Sequence, residues 1–189
     1  MTLASTLVRR SSGYQVTIFW GHLRSILLVS LLVAVAGCAT APARSSKMVA
    51  VAFTAPATLR ESVAITDATS PEMKTLLQHT NVEAGQLREA VEMSLRSAGY
   101  LSASPAAATV LLAVALISLE TSGISTVTSR IRYTLTSRAS GATLFNEVVV
   151  SECSRAGMWS WERLQHSTEC SVRENIGAFL QKTFLVQAN

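Results

Sequence analysis

The sequence predicts an α+β two-layer sandwich, in which an antiparallel sheet of four or five strands carries two main helices on one face. The first observation is the apolar pattern after residue 47, which gives the order strand, weak strand, helix, three strands, helix. Helices that are separated from a run of strands are typical of a sheet covered on one face. The second is composition, because 49% hydrophobic and 15% charged residues indicate a folded chain. A length of 189 residues suits one domain with appendages.

Two strands and a helix are predicted in the first part of the domain. The alternation from Met48 to Ala55 predicts a strand, and Leu59, Val63 and Ile65 predict a weaker one within 58–66. Ser70 followed by Pro71 is a typical helix start. Thr80 and Glu83 match a capping box, which either begins a second helix or lies within one long helix.

Helical spacing is clearest after this capping box. Leu87, Val91, Leu95 and Ala98 recur three or four residues apart, which predicts one buried face. Gly99 then ends the helix, because glycine readily adopts the left-handed conformation that follows a helix.

Three strands and a last helix are predicted in the second half. The apolar run from Val110 to Leu119 predicts a strand buried on both faces. The stretch Val127–Arg138 alternates, with Val127, Ile131, Tyr133 and Leu135 directed one way and polar residues the other. A turn at 139–142 leads into a hairpin partner, Leu144–Ser151. The last helix carries Val172, Ile176, Leu180 and Phe184 on one stripe, and it starts at Ser171 or as early as the 160s.

The start of the chain has the pattern of a secretory signal. Arg24 precedes eleven apolar or small residues at 26–36. As a helix this run spans roughly 17 Å, about half of a bilayer core, so a permanent membrane-spanning helix is disfavoured. Residues 1–37 hold three arginines and no acid, which leaves 16 − 3 = 13 basic and 12 acidic residues in 38–189. That near-neutral balance argues against a nucleic-acid partner.

The run ends in Val35-Ala36-Gly37-Cys38, which resembles the bacterial lipobox. The resemblance implies cleavage between Gly37 and Cys38, attachment of diacylglycerol to the Cys38 thiol, and acylation of the new amino end with a fatty acid such as palmitate. The alternative is an ordinary signal peptide with an incidental cysteine. The residue after the cysteine is Ala39. An Asp at this position would resemble an inner-membrane retention signal, so its absence favours the periplasmic face of the outer membrane.

This organisation divides the chain into three parts. Residues 1–37 form the predicted signal peptide, 38–47 the lipidated cysteine and a flexible tether, and 48–189 a single α+β periplasmic domain. The small, polar composition of 39–47 supports the tether.

Cys153 and Cys170 remain once Cys38 is lipidated. A pair of cysteines in an oxidising compartment favours a disulfide, and closing a loop of this size contributes about 3 kcal/mol in the chain-entropy model. Two separate thiols are the alternative. No metal site is expected, because His79 and His166 lack the spacing of metal ligands.

Two groups of residues are candidates for binding. Trp159 and Trp161 lie inside the predicted disulfide loop, where they serve either as partner anchors or as a cover on the core. Arg130, Arg132 and Arg138 share one strand face by parity, which suits either the phosphates of an anionic glycolipid or an ordinary solvated surface.

Catalysis has little support in the sequence. It contains no G-x-S-x-G, H-E-x-x-H, P-loop or G-x-G-x-x-G motif. We therefore expect a protein that is not an enzyme and that uses no cofactor.

The signal, tether and element order resemble those of small proteobacterial envelope lipoproteins, including lipopolysaccharide-assembly and transport-auxiliary lipoproteins. The stretch from Glu169 to Leu180 is similar to a group of largely uncharacterised lipoproteins. Together with the lipid tether, the compact domain and the lack of a catalytic motif, this resemblance favours an outer-membrane lipoprotein that acts through protein–protein contacts as an accessory in envelope assembly or transport. A binding module for an anionic, lipopolysaccharide-like glycolipid is the alternative. Only Cys38 takes a role from the resemblance.

Overall fold

Four strands and two long helices make up most of the described chain. The computed structural model describes residues 43–51, 54–55, 59–71 and 81–187. All of them belong to one unit, Ala41–Asn189. A short 3-10 helix covers Ser45–Lys47. The strands are β1 (Val63–Thr69), β2 (Val110–Ser122), β3 (Thr126–Ser137) and β4 (Thr143–Ser154), and the helices are α1 (Ala84–Ala98) and α2 (Ser160–Gln187).

The strands form one sheet in the order β1-β2-β3-β4, with both helices packed on the same face. The predicted α+β two-layer fold is therefore confirmed. The sheet is mixed, however, because β1 pairs with β2 in parallel while the other pairs are antiparallel. The physical reason is the crossover: α1 returns the chain across the sheet, so β2 starts at the same end as β1.

The segment predicted as a first strand, Met48–Ala55, forms no strand in its described residues. Met48 and Ala50 are buried as the alternation suggested, but they pack beside the helices. The Ala50 N–H donates to Ser94 Oγ on α1 at 3.0 Å, and the Ala55 N–H donates to the Ala98 carbonyl at 2.7 Å. Its backbone polar groups are thus satisfied by α1 rather than by a sheet edge.

Helix α1 confirms the predicted stripe, since Leu87, Val91, Leu95 and Ala98 are all buried. The helix begins after Glu83, whose backbone N–H donates to Gln86 Oε1 at 2.9 Å. The capping box is therefore Glu83 with Gln86, three residues later than the predicted Thr80–Glu83 pair. Gly99 ends the helix at φ 79°, as predicted. The helix start predicted at Ser70–Pro71 leads into 72–80, which lie outside the described residues.

The strands largely follow the predicted alternation. Val127, Ile131, Tyr133 and Leu135 of β3 are buried under the helices. The weak strand is confirmed, displaced to Val63–Thr69. The prediction that β2 is buried on both faces is wrong, because buried residues alternate there with half-buried ones and Ile117 is 45% exposed. The helices cover one face of the sheet and leave the other to solvent.

Buried polar groups fix α2 on β3 and β4. Asn175 Nδ2 donates to the carbonyls of Ser129 at 3.1 Å and Val149 at 2.8 Å, so one side chain bridges two strands. Ser171 Oγ donates to the Ser151 carbonyl at 2.9 Å and accepts the Ser129 N–H at 3.0 Å. Each of these contacts fixes the position of α2 along the strands.

Aromatic packing continues this contact along α2. Tyr133 stacks on Phe179 with ring centroids 4.1 Å apart, and Phe145 meets Phe179 edge-on at 5.7 Å. The Tyr133 hydroxyl donates to Asn175 Oδ1 at 3.1 Å. Burial raises the pKa of Tyr133 well above its ordinary value, so the hydroxyl stays protonated as a donor.

Replacing Asn175 tests the polar contact. We expect Asn175→Ala to lower the free energy of unfolding by about 1–3 kcal/mol, because it leaves two buried carbonyls without their donor. Chemical denaturation measures the change. The control is Glu174→Ala, one residue away on the exposed side of α2, which should stay within about 0.5 kcal/mol of the parent. Equal effects of the two substitutions would contradict the importance of the contact.

Candidate functional site

The predicted lipidation site, Gly37-Cys38, lies outside the described residues, and so does His79. Within the described part of the chain, no helix is long and apolar enough to cross a membrane. No group of three or more His, Cys, Asp or Glu side chains in that part is arranged to hold a metal ion.

Part of the predicted tether is folded onto the domain. Ala43 is 5% exposed, and the backbone N–H of Arg44 donates to Glu169 Oε1 on α2 at 3.0 Å. Ser45 Oγ donates to Glu89 on α1 at 2.6 Å, and Arg173 donates to the Lys47 carbonyl at 3.2 Å. Residues 43–47 are therefore a fixed part of the domain. Residues 38–42 of the predicted tether lie outside the described residues.

Glu169 is the main attachment point of this segment. Its side chain is only 5% exposed, and it accepts both the backbone N–H and the guanidinium Nε of Arg44, the latter at 3.1 Å. The hydrogen bond and the negative charge of Glu169 raise the pKa of Arg44. A nearly buried carboxylate needs such donors to offset its desolvation. This contact fixes the position at which the chain enters the domain.

The predicted disulfide is present between Cys153 and Cys170, whose Cα atoms are 5.8 Å apart. It joins the last residues of β4 to the first half of α2. The Arg155 N–H donates to Ser167 Oγ at 2.9 Å in the same region. Together these contacts fix the loop that connects β4 to α2.

Trp159 and Trp161 do not cover the core. They are 60% and 49% exposed, and the neighbouring Met158 is 82% exposed. The loop that carries Met158 and Trp159 is fixed to α2, because Arg163 Nη1 donates to the Gly157 carbonyl at 2.9 Å. A Cβ at Gly157 would meet Arg163 Cγ at 2.9 Å, so the close approach requires glycine. Trp159 therefore lies on an ordered loop, and Trp161 lies in the first turn of α2.

The three predicted arginines do not form one patch. Arg130 and Arg132 lie on the helix-free face of β3, as parity predicts, but Arg138 follows β3 in the turn and donates to the Pro105 carbonyl at 2.6 Å. Arg130 is paired with Glu120 at 3.2 Å. The hydrogen bond from Ser118 and the contact with Arg130 lower the pKa of Glu120, so this carboxylate stays charged. Arg132 is exposed.

The helix-free face is partly apolar. Val148 and Val150 of β4 pair with Arg132 and Arg130 across the sheet and are 38% and 48% exposed. Leu144 and Ile117 are also exposed, at 43% and 45%. We call the side chains of Ile117, Arg130, Arg132, Leu144, Val148 and Val150 the open sheet face.

A basic cleft lies beside the disulfide, where Cys170 is one of its lining residues. Its volume is about 350 Å³. Four cationic side chains and one histidine line it against a single carboxylate, and the charged and titratable members are Arg44, Lys47, Arg155, His166, Glu169 and Arg173. Glu169 is engaged by Arg44, and Arg173 lies 3.8 Å from Glu174. Lys47 and Arg155 have no carboxylate within ion-pair distance among the described residues, so the cleft keeps a positive charge. No local pattern in the sequence indicates this site, because its members come from three separate segments that only the fold brings together.

Comparisons with solved structures support the fold. A Xanthomonas campestris protein assigned to the family model DUF330 superposes with a TM-score of 0.53 at 8% identity, covering 73% of this chain and 94% of that one. A hypothetical protein from Chlamydia trachomatis gives 0.52 at 13% identity, covering 69% and 99%. A Caulobacter crescentus protein proposed to be a lipoprotein gives 0.47 at 13% identity, covering 68% and 92%.

No protein-family model matches the sequence, and no curated protein matches it. At these identities, the two similarities with TM-scores above 0.5 establish the fold alone.

The Arg44–Glu169 contact generates a prediction about local stability. We expect Arg44→Ala to release residues 44–50, so that amide hydrogen exchange there accelerates by roughly five- to tenfold. Hydrogen exchange with mass spectrometry measures this. Arg96→Ala removes an equal charge from the exposed end of α1 and should leave exchange at 44–50 unchanged. Unchanged exchange in Arg44→Ala would show that other contacts hold the segment.

Proposed function

We propose that this protein is a lipid-anchored envelope protein that acts through protein–protein contacts, as a non-enzymatic accessory in envelope assembly or transport. Its anchor is the lipidated Cys38, and its location is the periplasmic face of the outer membrane. The sequence Val35-Ala36-Gly37-Cys38 supports the anchor, and Ala39 supports the outer membrane. The observation that carries the protein-contact role is the open sheet face.

The open sheet face has the composition of a protein interface. Four aliphatic side chains are exposed on a sheet that has helices on its other face only. Arginines lie among them, and exposed apolar groups combined with arginine are typical of contact surfaces. The face ends at β4, which has no strand partner on its outer edge among the described residues. A partner can therefore approach both the face and the edge of the sheet.

The charge balance of this face favours a protein partner over an anionic glycolipid. Arg130 is already paired with Glu120, and Glu152 of β4 accepts a hydrogen bond from Thr128 on the same face at 3.4 Å. Two cations thus stand against two carboxylates. Recognition of several phosphates requires an excess of positive charge, which this face lacks once Arg138 is directed to Pro105.

Affinity purification from membranes tests both parts of the proposal. We expect the intact mass of the protein to include lipid on Cys38, and a protein partner to co-purify in mild detergent. The double variant Val148→Lys/Val150→Lys places two charges on exposed positions of the open sheet face. It should reduce recovery of the partner by about tenfold or more, as loss of a central contact does.

The control adds the same two charges to the helical layer. Ser97→Lys and Gln181→Lys lie on exposed positions of α1 and α2, and this variant should keep its partner. Equal recovery with both variants would reject the open sheet face as the contact surface. An unlipidated chain would reject the anchor.

A further inference from the structure

We propose that one end of the domain is a membrane-contacting surface, which seats the anchored protein on the phosphate-bearing headgroups of anionic lipids. The surface consists of the basic cleft and the exposed apolar side chains beside it, and we call it the anchor end. This inference rests on the proposed lipidation of Cys38 and adds to it an orientation of the domain. Three independent features of the structure support it.

The first feature is the short reach of the chain. The described domain begins at Ala43, which is buried, and Arg44 is fixed to Glu169. Only five Cα-to-Cα steps separate Cys38 from Ala43, and these span at most about 18 Å. A lipid on Cys38 therefore holds Arg44 close to the headgroups. The side of the domain that carries Arg44 must face the membrane or lie immediately beside it.

The second feature is the charge at this position. Arg44, Lys47, Arg155 and Arg173 converge on the cleft with Glu169 as the carboxylate among them. Electrostatic attraction to an anionic surface falls off within a Debye length, about 8 Å at physiological ionic strength. A reach of at most about 18 Å lets the cations of the cleft come within that range of the headgroups, whereas Arg130 and Arg132 lie on the helix-free face of the sheet.

The third feature is the distribution of exposed apolar side chains. Met158 and Trp159 lie in the loop 155–159 that follows β4, and Trp161 is the second residue of α2. Ile124, 75% exposed, lies in the β2–β3 turn at the same end of the sheet, where Ser125 Oγ and Ser154 Oγ are 3.0 Å apart. Tryptophan side chains are enriched at the headgroup level of membranes, where their rings are apolar and their N–H groups polar.

The short reach from Cys38, the cations and the exposed apolar side chains together favour a membrane, and not another ligand, as the partner of the anchor end. Arg155 and Ala156 line the positive cleft, and the same loop carries the exposed Met158 and Trp159. This pairing of cationic and apolar groups matches a surface that offers phosphates at one depth and acyl chains just below. The open sheet face lies on another side of the domain, so it remains accessible when the anchor end rests on the bilayer.

Intrinsic fluorescence reports on this surface directly. The sequence holds three tryptophans, and Trp20 lies in the predicted signal peptide, so the mature chain fluoresces from Trp159 and Trp161 alone. The mature protein, purified from membranes, is reconstituted into vesicles of phosphatidylethanolamine and phosphatidylglycerol with either ordinary or brominated acyl chains. We expect brominated lipid to remove about half or more of the fluorescence, because interfacial tryptophan lies near the upper acyl carbons.

A charge variant tests the cleft. Lys47→Gln/Arg155→Gln/Arg173→Gln should reduce this quenching to the level seen in vesicles of neutral lipid alone. The control Arg130→Gln/Arg132→Gln removes charge from the open sheet face and should leave quenching unchanged. Thermal unfolding of both variants verifies that each is folded.

Flotation of the protein with the vesicles tests the lipid anchor separately from the membrane contact of the anchor end. A chain that does not float overturns the lipid anchor, and this inference with it. A chain that floats while its tryptophans remain unquenched overturns this inference alone. Tryptophans that are shielded in native membranes but not in vesicles would assign the anchor end to a protein partner and also overturn it.

Discussion

Asn175 on α2 donates to backbone carbonyls of two adjacent strands, and the rest of the molecule depends on this contact. Ser171, one turn earlier, bonds to the same pair of strands, and Phe179, one turn later, stacks on Tyr133. A purely apolar helix face could slide along the sheet at little cost, whereas each of these polar groups has its partner at a single position. Displacing α2 by one turn would leave several buried donors and acceptors unsatisfied, at a cost of about 1–3 kcal/mol for each group.

The fixed position of α2 determines both candidate surfaces. Glu169 and Cys170 immediately precede Ser171, so the contact that positions α2 also places the carboxylate that holds Arg44 and the cysteine that bonds to β4. Arg173 enters the basic cleft from the same turn. Because both helices occupy one face of the sheet, the other face is left to solvent with its exposed valines. The packing of α2 thus places the basic cleft and the open sheet face on different sides of the domain.

Local patterns predicted the parts of the fold that depend on burial alone. The stripe of α1, the alternation of β3 and the hairpin of β4 follow from periodicity, and the pairing of Cys153 with Cys170 follows from their number and the predicted compartment. Periodicity could not show that Met48 and Ala50 are buried beside α1 instead of in a sheet, since both environments accept the same residues. It also passed over Ser129, a buried polar residue whose partner, Ser171, lies 42 residues away. The basic cleft could not be predicted for the same reason, because residues 44, 47, 155 and 173 are distant in sequence and share no local pattern.

The decisive measurement is the orientation of the anchored domain relative to the membrane. A single fluorescent label is attached at Ala156→Cys, in the loop after β4, or at Ser140→Cys, in the turn before β4, and energy transfer is measured to acceptors in the headgroups of vesicles that carry the lipidated protein. Both positions are exposed, and the length of β4 separates them by roughly 37 Å. The account predicts strong transfer from position 156 and weak transfer from position 140. Equal transfer, or stronger transfer from position 140, would contradict it.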